Sequence, residues 1–185
     1  MMTVAFFLEE PSAQEMLEQI LPKIFPKDVT TRFVRFRGKQ DLEKNLVKKI
    51  KGWQVPNTKF VILRDQDSGD CIRIKTELIN LCHKAGKSDV LVRIACRELE
   101  SFYLGDLYAI ENAFELKNLS KKQNTRKFRD PDRLGNPSKE LLRLTQHKYQ
   151  KVKGSRAISR YLNLKSNRSK SFNHLISGLK RIVEL

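Results

Sequence analysis

The stretch Phe60-Val61-Ile62-Leu63-Arg64-Asp65-Gln66-Asp67-Ser68-Gly69-Asp70 decides how the rest of the chain is read. Four consecutive apolar residues suit a strand covered on both faces, and the acids, serine and glycine that follow suit a loop. Beyond the loop, Cys71, Leu78, Cys82 and Ala85 mark one face of a helix. A fully apolar strand feeding an amphipathic helix is the repeating unit of a parallel sheet.

The same unit recurs on either side. Thr3 to Leu8 is a short apolar run ended by Glu9-Glu10-Pro11; Pro11 suits a first helical turn, and Met16, Leu17, Ile20, Leu21 and Ile24 then recur at helical spacing. Thr30 to Phe36 alternates β-branched or aromatic residues with Arg32 and Arg35, and Leu42, Leu46, Val47 and Ile50 give Asp41 to Ile50 a helical face. Val90 to Ala95 is a fourth strand. The expected fold is α/β: a mostly parallel, Rossmann-like sheet of about four strands flanked by helices.

After Arg97 the pattern becomes helical. Lys117 to Pro137 is polar, broken by Asn-Pro and Asp-Pro, and reads as a mobile basic segment. Helical signals return in Lys139 to His147 and Arg156 to Leu164, and Phe172, Leu175, Ile176, Leu179, Ile182 and Val183 form a last apolar stripe that faces a core. This divides the chain into a catalytic domain at residues 1–116 and a basic, mainly helical extension at residues 117–185.

Charge sharpens that division. The 185 residues carry a formal net charge of +16, yet 19 of the 37 Lys+Arg and only 4 of the 21 Asp+Glu lie at or beyond Lys117. Such asymmetry marks a polyanion-binding surface, since each phosphate neutralised releases counterions. DNA or RNA is the expected partner, with Lys121, Lys122, Arg126, Lys127 and Arg129 as candidate phosphate contacts. No apolar run approaches the roughly 20 residues of a membrane helix. The short apolar start lacks a basic leader and runs into two glutamates, so a cytoplasmic protein is expected. Cys71, Cys82 and Cys96 have no CxxC spacing and His83, His147 and His174 are scattered, which gives no zinc set.

Acids collect where the strands end. Glu9 and Glu10 follow the first strand, Asp65 and Asp67 the third, Glu98 and Glu100 the fourth. In an open parallel sheet ligands bind outside the carboxyl ends of the strands. If Asp65 to Asp67 stays extended, their spacing points both carboxylates the same way. Oxygen ligands from several loops, with room for water and phosphate, suit a hard cation, Mg²⁺ or Mn²⁺. Each cluster alone has a plainer reading as a turn, a cap or a first-turn acid. An EF-hand fails, because Gly69 falls one place early and the twelfth position is Thr76.

The order strand, Glu, helix, strand, helix, strand, Asp-x-Asp resembles the Toprim domain of topoisomerases, primases and OLD-type nucleases. Phe7-Leu8-Glu9-Glu10-Pro11-Ser12, Arg64-Asp65-Gln66-Asp67 and Arg97-Glu98-Leu99-Glu100-Ser101-Phe102 resemble a group of small Toprim-like bacterial proteins often encoded beside ABC-type ATPases and associated with mobile or phage-defence loci. The resemblance covers about Thr3 to Asp106. It implies a Mg²⁺-dependent nuclease, with an ABC-type ATPase as a candidate partner. Glu9 would be general acid/base or metal ligand, Asp65 and Asp67 would hold metal, and Glu100, ahead of Glu98, would be a fourth acid. The glycine that commonly follows the Toprim glutamate is Glu10 here, which leaves both Glu9 and Glu10 as candidates. A topoisomerase would need a separate tyrosine-bearing domain and a primase a larger framework, so hydrolysis is favoured. Two other classes stay in view. A phosphoacceptor receiver domain would need Ser or Thr after the fourth strand, where Ala95-Cys96-Arg97 stands. A non-catalytic nucleic-acid-binding or regulatory partner of an ATPase would keep the fold without the chemistry.

Overall fold

A computed structural model describes residues 1–184. Strands β1 (Thr3–Leu8), β2 (Thr30–Arg35), β3 (Thr58–Asp65) and β4 (Val90–Ala95) form one sheet in the order β2-β1-β3-β4, every pair parallel. Helices α1 (Pro11–Ile20), α2 (Lys39–Lys51) and α3 (Cys71–Lys84) make the crossovers. The α/β, Rossmann-like architecture is therefore the one the apolar runs predict. Strand β3 outlasts its apolar run at both ends, and pairing with β4 carries it on to Asp65, opposite Ala95.

The pleat sorts the central strand between two cores. Val4, Phe6 and Leu8 point to one face with Met16, Leu17 and Ile20 of α1. Ala5 and Phe7 point to the other with Leu42, Leu46 and Ile50 of α2 and Ile74, Leu78 and Cys82 of α3. Helix α1 thus covers one face while α2 and α3 cover the opposite one. The chain leaves β1 outward to β2, then crosses back to β3, so the winding reverses between β1 and β3. At such a switch point the loops diverge and leave a crevice above the strand ends.

The remaining helices are α4 (Glu100–Leu104), α5 (Leu107–Ala113), α6 (Pro137–Leu144), α7 (Lys151–Ser159) and α8 (Lys170–Val183). They complete the α1 face: Phe102, Ile110, Leu141, Ile158, Phe172 and Leu175 share one apolar cluster with β1 and α1. The boundary placed at residue 116 falls inside this cluster, which continues through Leu119 and Phe128. The segment read as mobile is in fact anchored. Leu119, Phe128 and Pro131 are buried, and the Gln123 side chain accepts from Leu107 N–H and donates to the carbonyls of Leu104 and Phe128. Its many exposed lysines and arginines hide those few anchors from a reading by composition. Helix α7 begins five residues before the expected Arg156, and Leu162 is buried beyond its end.

Candidate active site

Five carboxylates and three cationic side chains gather above the switch point. Asp65, the last residue of β3, is 8% exposed. Its backbone N–H donates to Glu9 Oε2 at 3.2 Å, so the ends of β1 and β3 are tied through an acid. Burial pushes the Asp65 carboxyl well above its ordinary range, and the charges of Glu10, Glu100 and Glu9 push the same way. Glu100, at the start of α4, is wholly buried. One of its oxygens accepts from the Tyr149 hydroxyl at 2.9 Å, and the other, Oε2, has no donor among the described residues. Burial raises its carboxyl too, opposed by the charge of Lys151. Burial likewise raises Glu9, against the Asp65 N–H and with the charge of Asp67.

Glu10 and Lys151 form a solvent-facing flank of the group. Glu10 precedes α1, accepts from Ser12 Oγ at 2.5 Å and pairs with Lys151 Nζ at 3.1 Å. Burial works against the Lys151 ammonium, but Glu10 and Glu100 outweigh it and raise its pKa. Elsewhere in the group Asp67 pairs with Lys39 Nζ at 2.7 Å, and the buried Arg64 lies between Glu43, at 2.5 Å, and Glu9, at 3.8 Å. The Arg64 side chain is 7% exposed and its Nε, although near Glu9, makes no hydrogen bond among the described residues.

Tyr149 reaches Glu100 because α7 carries a glycine at the right place. A side-chain carbon on Gly154 would run into the Tyr149 ring, which is 6% exposed and has nowhere to retreat. The buried hydroxyls of Tyr103, Ser155 and Ser159 lie close to one another and to Tyr149, so a polar group of side chains surrounds the Tyr149 ring.

The structure brings together Glu9, Glu10, Asp65, Asp67 and Glu100, from three strand ends. Two details differ from the sequence reading. Asp67 has φ 55°, so the chain turns after Asp65 instead of running extended; the two carboxylates do not share one strand face, and Asp67 faces Lys39. Glu98 is directed elsewhere: its Oε2 accepts from Ser138 N–H at 2.7 Å, in the first turn of α6. Four site residues, Arg64, Lys39, Lys151 and Tyr149, are absent from the candidates that the sequence suggests. Arg64 adjoins Asp65 and is within reach of a motif reading; Tyr149 and Lys151 lie in an unremarkable basic stretch and carry no local signal. Of the basic candidates, Lys127 pairs with Glu140 at 2.8 Å, and none of Lys121, Lys122, Arg126, Lys127 or Arg129 pairs with the acid group.

The donors suit a hard cation in kind, since they are oxygens and Glu100 Oε2 is buried without a partner. They do not form a ready cage: among the described residues no three Asp, Glu, His or Cys side chains are grouped as metal ligands. Lys151 and Lys39 occupy two of the carboxylates instead.

Fold and site together define a Rossmann-like α/β protein with a cluster of acids at the carboxyl edge of its sheet. The chain belongs to the family described as Domain of unknown function (DUF4276), whose profile matches residues 8–180, from the end of β1 into α8. No curated protein and no solved structure matches the chain. Among the described residues no helix is long and apolar enough to cross a membrane.

Proposed function

We propose that this protein is a Mg²⁺-dependent nuclease of Toprim type that hydrolyses phosphodiester bonds in DNA or RNA. The observation that carries the reading is a pair of buried acids, Asp65 and Glu100, at the carboxyl edge beside the switch point, with one Glu100 oxygen left without a donor. Burying two neighbouring carboxylates is costly unless something positive completes the site. Asp65 and Glu100 would hold the metal, with Glu10 and Glu9 beside them. When bound, Mg²⁺ neutralises charge on a phosphate and lowers the pKa of a water nucleophile.

The chain's own groups supply the rest. Glu9, whose carboxyl burial raises above its ordinary range, suits proton exchange with water. Lys151, fixed beside Glu10, can neutralise charge developing on a phosphate oxygen. Arg64 is held by Glu43 and positions Glu9. An ABC-type ATPase partner accompanies this reading through the family resemblance alone, and a cytoplasmic setting through the character of the first residues and the cysteines. A second reading, a non-catalytic nucleic-acid-binding partner of an ATPase, draws support from the lysines that already neutralise Glu10 and Asp67.

The deciding experiment incubates the protein, alone and with any ATPase encoded beside it, with plasmid, linear DNA and tRNA in Mg²⁺, Mn²⁺ or EDTA. Cleavage confined to the metal-containing reactions is expected. Equal cleavage in EDTA would remove the metal mechanism, and binding without cleavage under every condition would favour the second reading.

A further inference from the structure

A cavity of about 550 Å³ opens at the free edge of β4, between α3 and the start of α8. Its floor is apolar, made by Val92 and Ile94, and the thiols of Cys71 and Cys96 lie in its wall. Cationic groups line it: Lys75 from α3, Lys170 from α8 and Arg133 from the short turn before α6. The carboxylates in the lining are committed. Asp132 accepts from Ser169 Oγ, Ser171 N–H and Ser171 Oγ, and Asp130 pairs with Arg133. Arg93 is committed too, donating to the carbonyls of His174 and Val92. Among the described residues neither Lys75 nor Lys170 is paired with a carboxylate, so with Arg93 and Arg133 set against Asp130 and Asp132 the lining keeps an excess of positive charge.

Position adds meaning to chemistry. Cys96 follows Ala95, which is the register partner of Asp65, so one residue of the cavity wall lies a single position beyond the strand neighbour of the buried acid. Small-molecule sites of this size combine an apolar bed with a few charged groups that fix orientation. A nucleotide matches on both counts, with a flat base for Val92 and Ile94 and phosphates for the two lysines. We infer that this cavity is a nucleotide subsite, which holds the base and phosphates of the single strand flanking the bond presented to Asp65 and Glu100. The inference rests on the nuclease reading for its orientation toward the acids.

The test is made in EDTA, where cleavage plays no part. A fluorescein-labelled single-stranded 12-mer, as DNA and as RNA, is titrated onto the wild type and onto the double variant Lys75→Glu/Lys170→Glu. Both lysines are exposed, and a glutamate at the start of α8 is compatible with the helix dipole, so the fold should survive. The variant should bind on the order of ten- to a hundredfold more weakly at low salt, with the slope of log affinity against log salt reduced by about 0.7 for each phosphate no longer neutralised. In parallel, N-ethylmaleimide labelling is mapped by mass spectrometry. Saturating oligonucleotide should slow modification of Cys71 and Cys96 and leave buried Cys82 unaffected. Unchanged labelling of Cys71 and Cys96 at saturation, or wild-type affinity in the variant, overturns the inference. A protein that protects its thiols here yet never cleaves keeps the subsite and loses the nuclease reading; one that cleaves without protection does the reverse.

Discussion

The backbone N–H of Asp65 donates to the carboxylate of Glu9 at 3.2 Å, across the point where the winding of the sheet reverses. Glu9→Gln keeps an oxygen acceptor for that bond while removing the charge. We therefore expect Glu9→Gln, Asp65→Asn and Glu100→Gln each to lose metal-dependent cleavage while circular dichroism and nucleic-acid affinity stay close to wild type. Glu98→Ala should behave oppositely: it loses about 1 kcal/mol of stability through the first turn of α6 and continues to cleave. Wild-type cleavage in all three site variants would move the active site elsewhere.

The site acids also forecast how stability follows pH. Asp65, Glu100 and Glu9 have pKa values raised in the folded state, so the native protein holds more protons than the unfolded chain between the ordinary carboxylate range and the raised values. Their contribution is fully present below the unfolded values and is lost as pH rises through the folded ones. In EDTA, Tm should therefore gain from these groups as pH falls from neutrality toward about 5. Asp65→Asn removes part of the gain, and a Tm profile identical to wild type would show that Asp65 is not the group responsible.

Tyr149 and Gly154 should behave as one unit. Tyr149→Phe leaves both oxygens of Glu100 without donors, a loss of about 1–3 kcal/mol, and Gly154→Ala drives the ring away from the same position. Each kcal/mol lowers Tm by about 2–4 °C in a domain of this size. If the double variant is no less stable than the worse single one, the two act through one interaction; full additivity would separate them.

Lys151 competes for the carboxylates that would receive a cation. Lys151→Met keeps the aliphatic stem and removes the ammonium beside Glu10. Calorimetric titration should show Mn²⁺ binding roughly tenfold more tightly than to the wild type, with cleavage reduced because a phosphate-facing charge is gone. Weaker or unchanged Mn²⁺ binding would place the metal away from Glu10.

Replacing Lys121, Lys122, Arg126 and Arg129 together should weaken binding to unrelated nucleic-acid sequences alike, since interactions with the phosphate backbone carry no base information. The salt slope should fall by about 0.7 to 0.9 for each phosphate that these side chains cease to neutralise. Adding Lys127→Ala should change little, because its ammonium is held by Glu140 and lies over the Phe128 ring. An unchanged slope would take this segment out of the nucleic-acid surface and leave it as a candidate face for a protein partner.

Periodicity within about twenty residues is enough to read the sheet, its crossovers and the strand-end acids, because a buried strand and an amphipathic helix each declare themselves locally. The choice between Glu98 and Glu100 is harder: both sit next to the start of α4, and only the position of Ser138 shows that Glu98 is occupied. Asp67 depends on one backbone angle. Tyr149 and Lys151 are out of reach of a local reading, because what makes them part of the site is the packing of α7 on α1, two helices far apart in the chain, and nothing in their neighbours encodes that.

That long-range packing dictates an order of assembly. Interactions between distant segments form late, after the loop between them has closed. While residues 1–116 emerge from the ribosome, the α1 face of the sheet lacks the part of its cover that α6, α7 and α8 supply, and Glu10, Glu15 and Lys23 await partners at Lys151, Arg156 and Arg160. A nascent chain of that length should therefore bind hydrophobic dyes and chaperones, and its acid group should be open to water and without Tyr149. Catalytic competence would then arrive only once α7 has been synthesised and has docked, so the same packing that finishes the core would also time the first turnover to the end of folding.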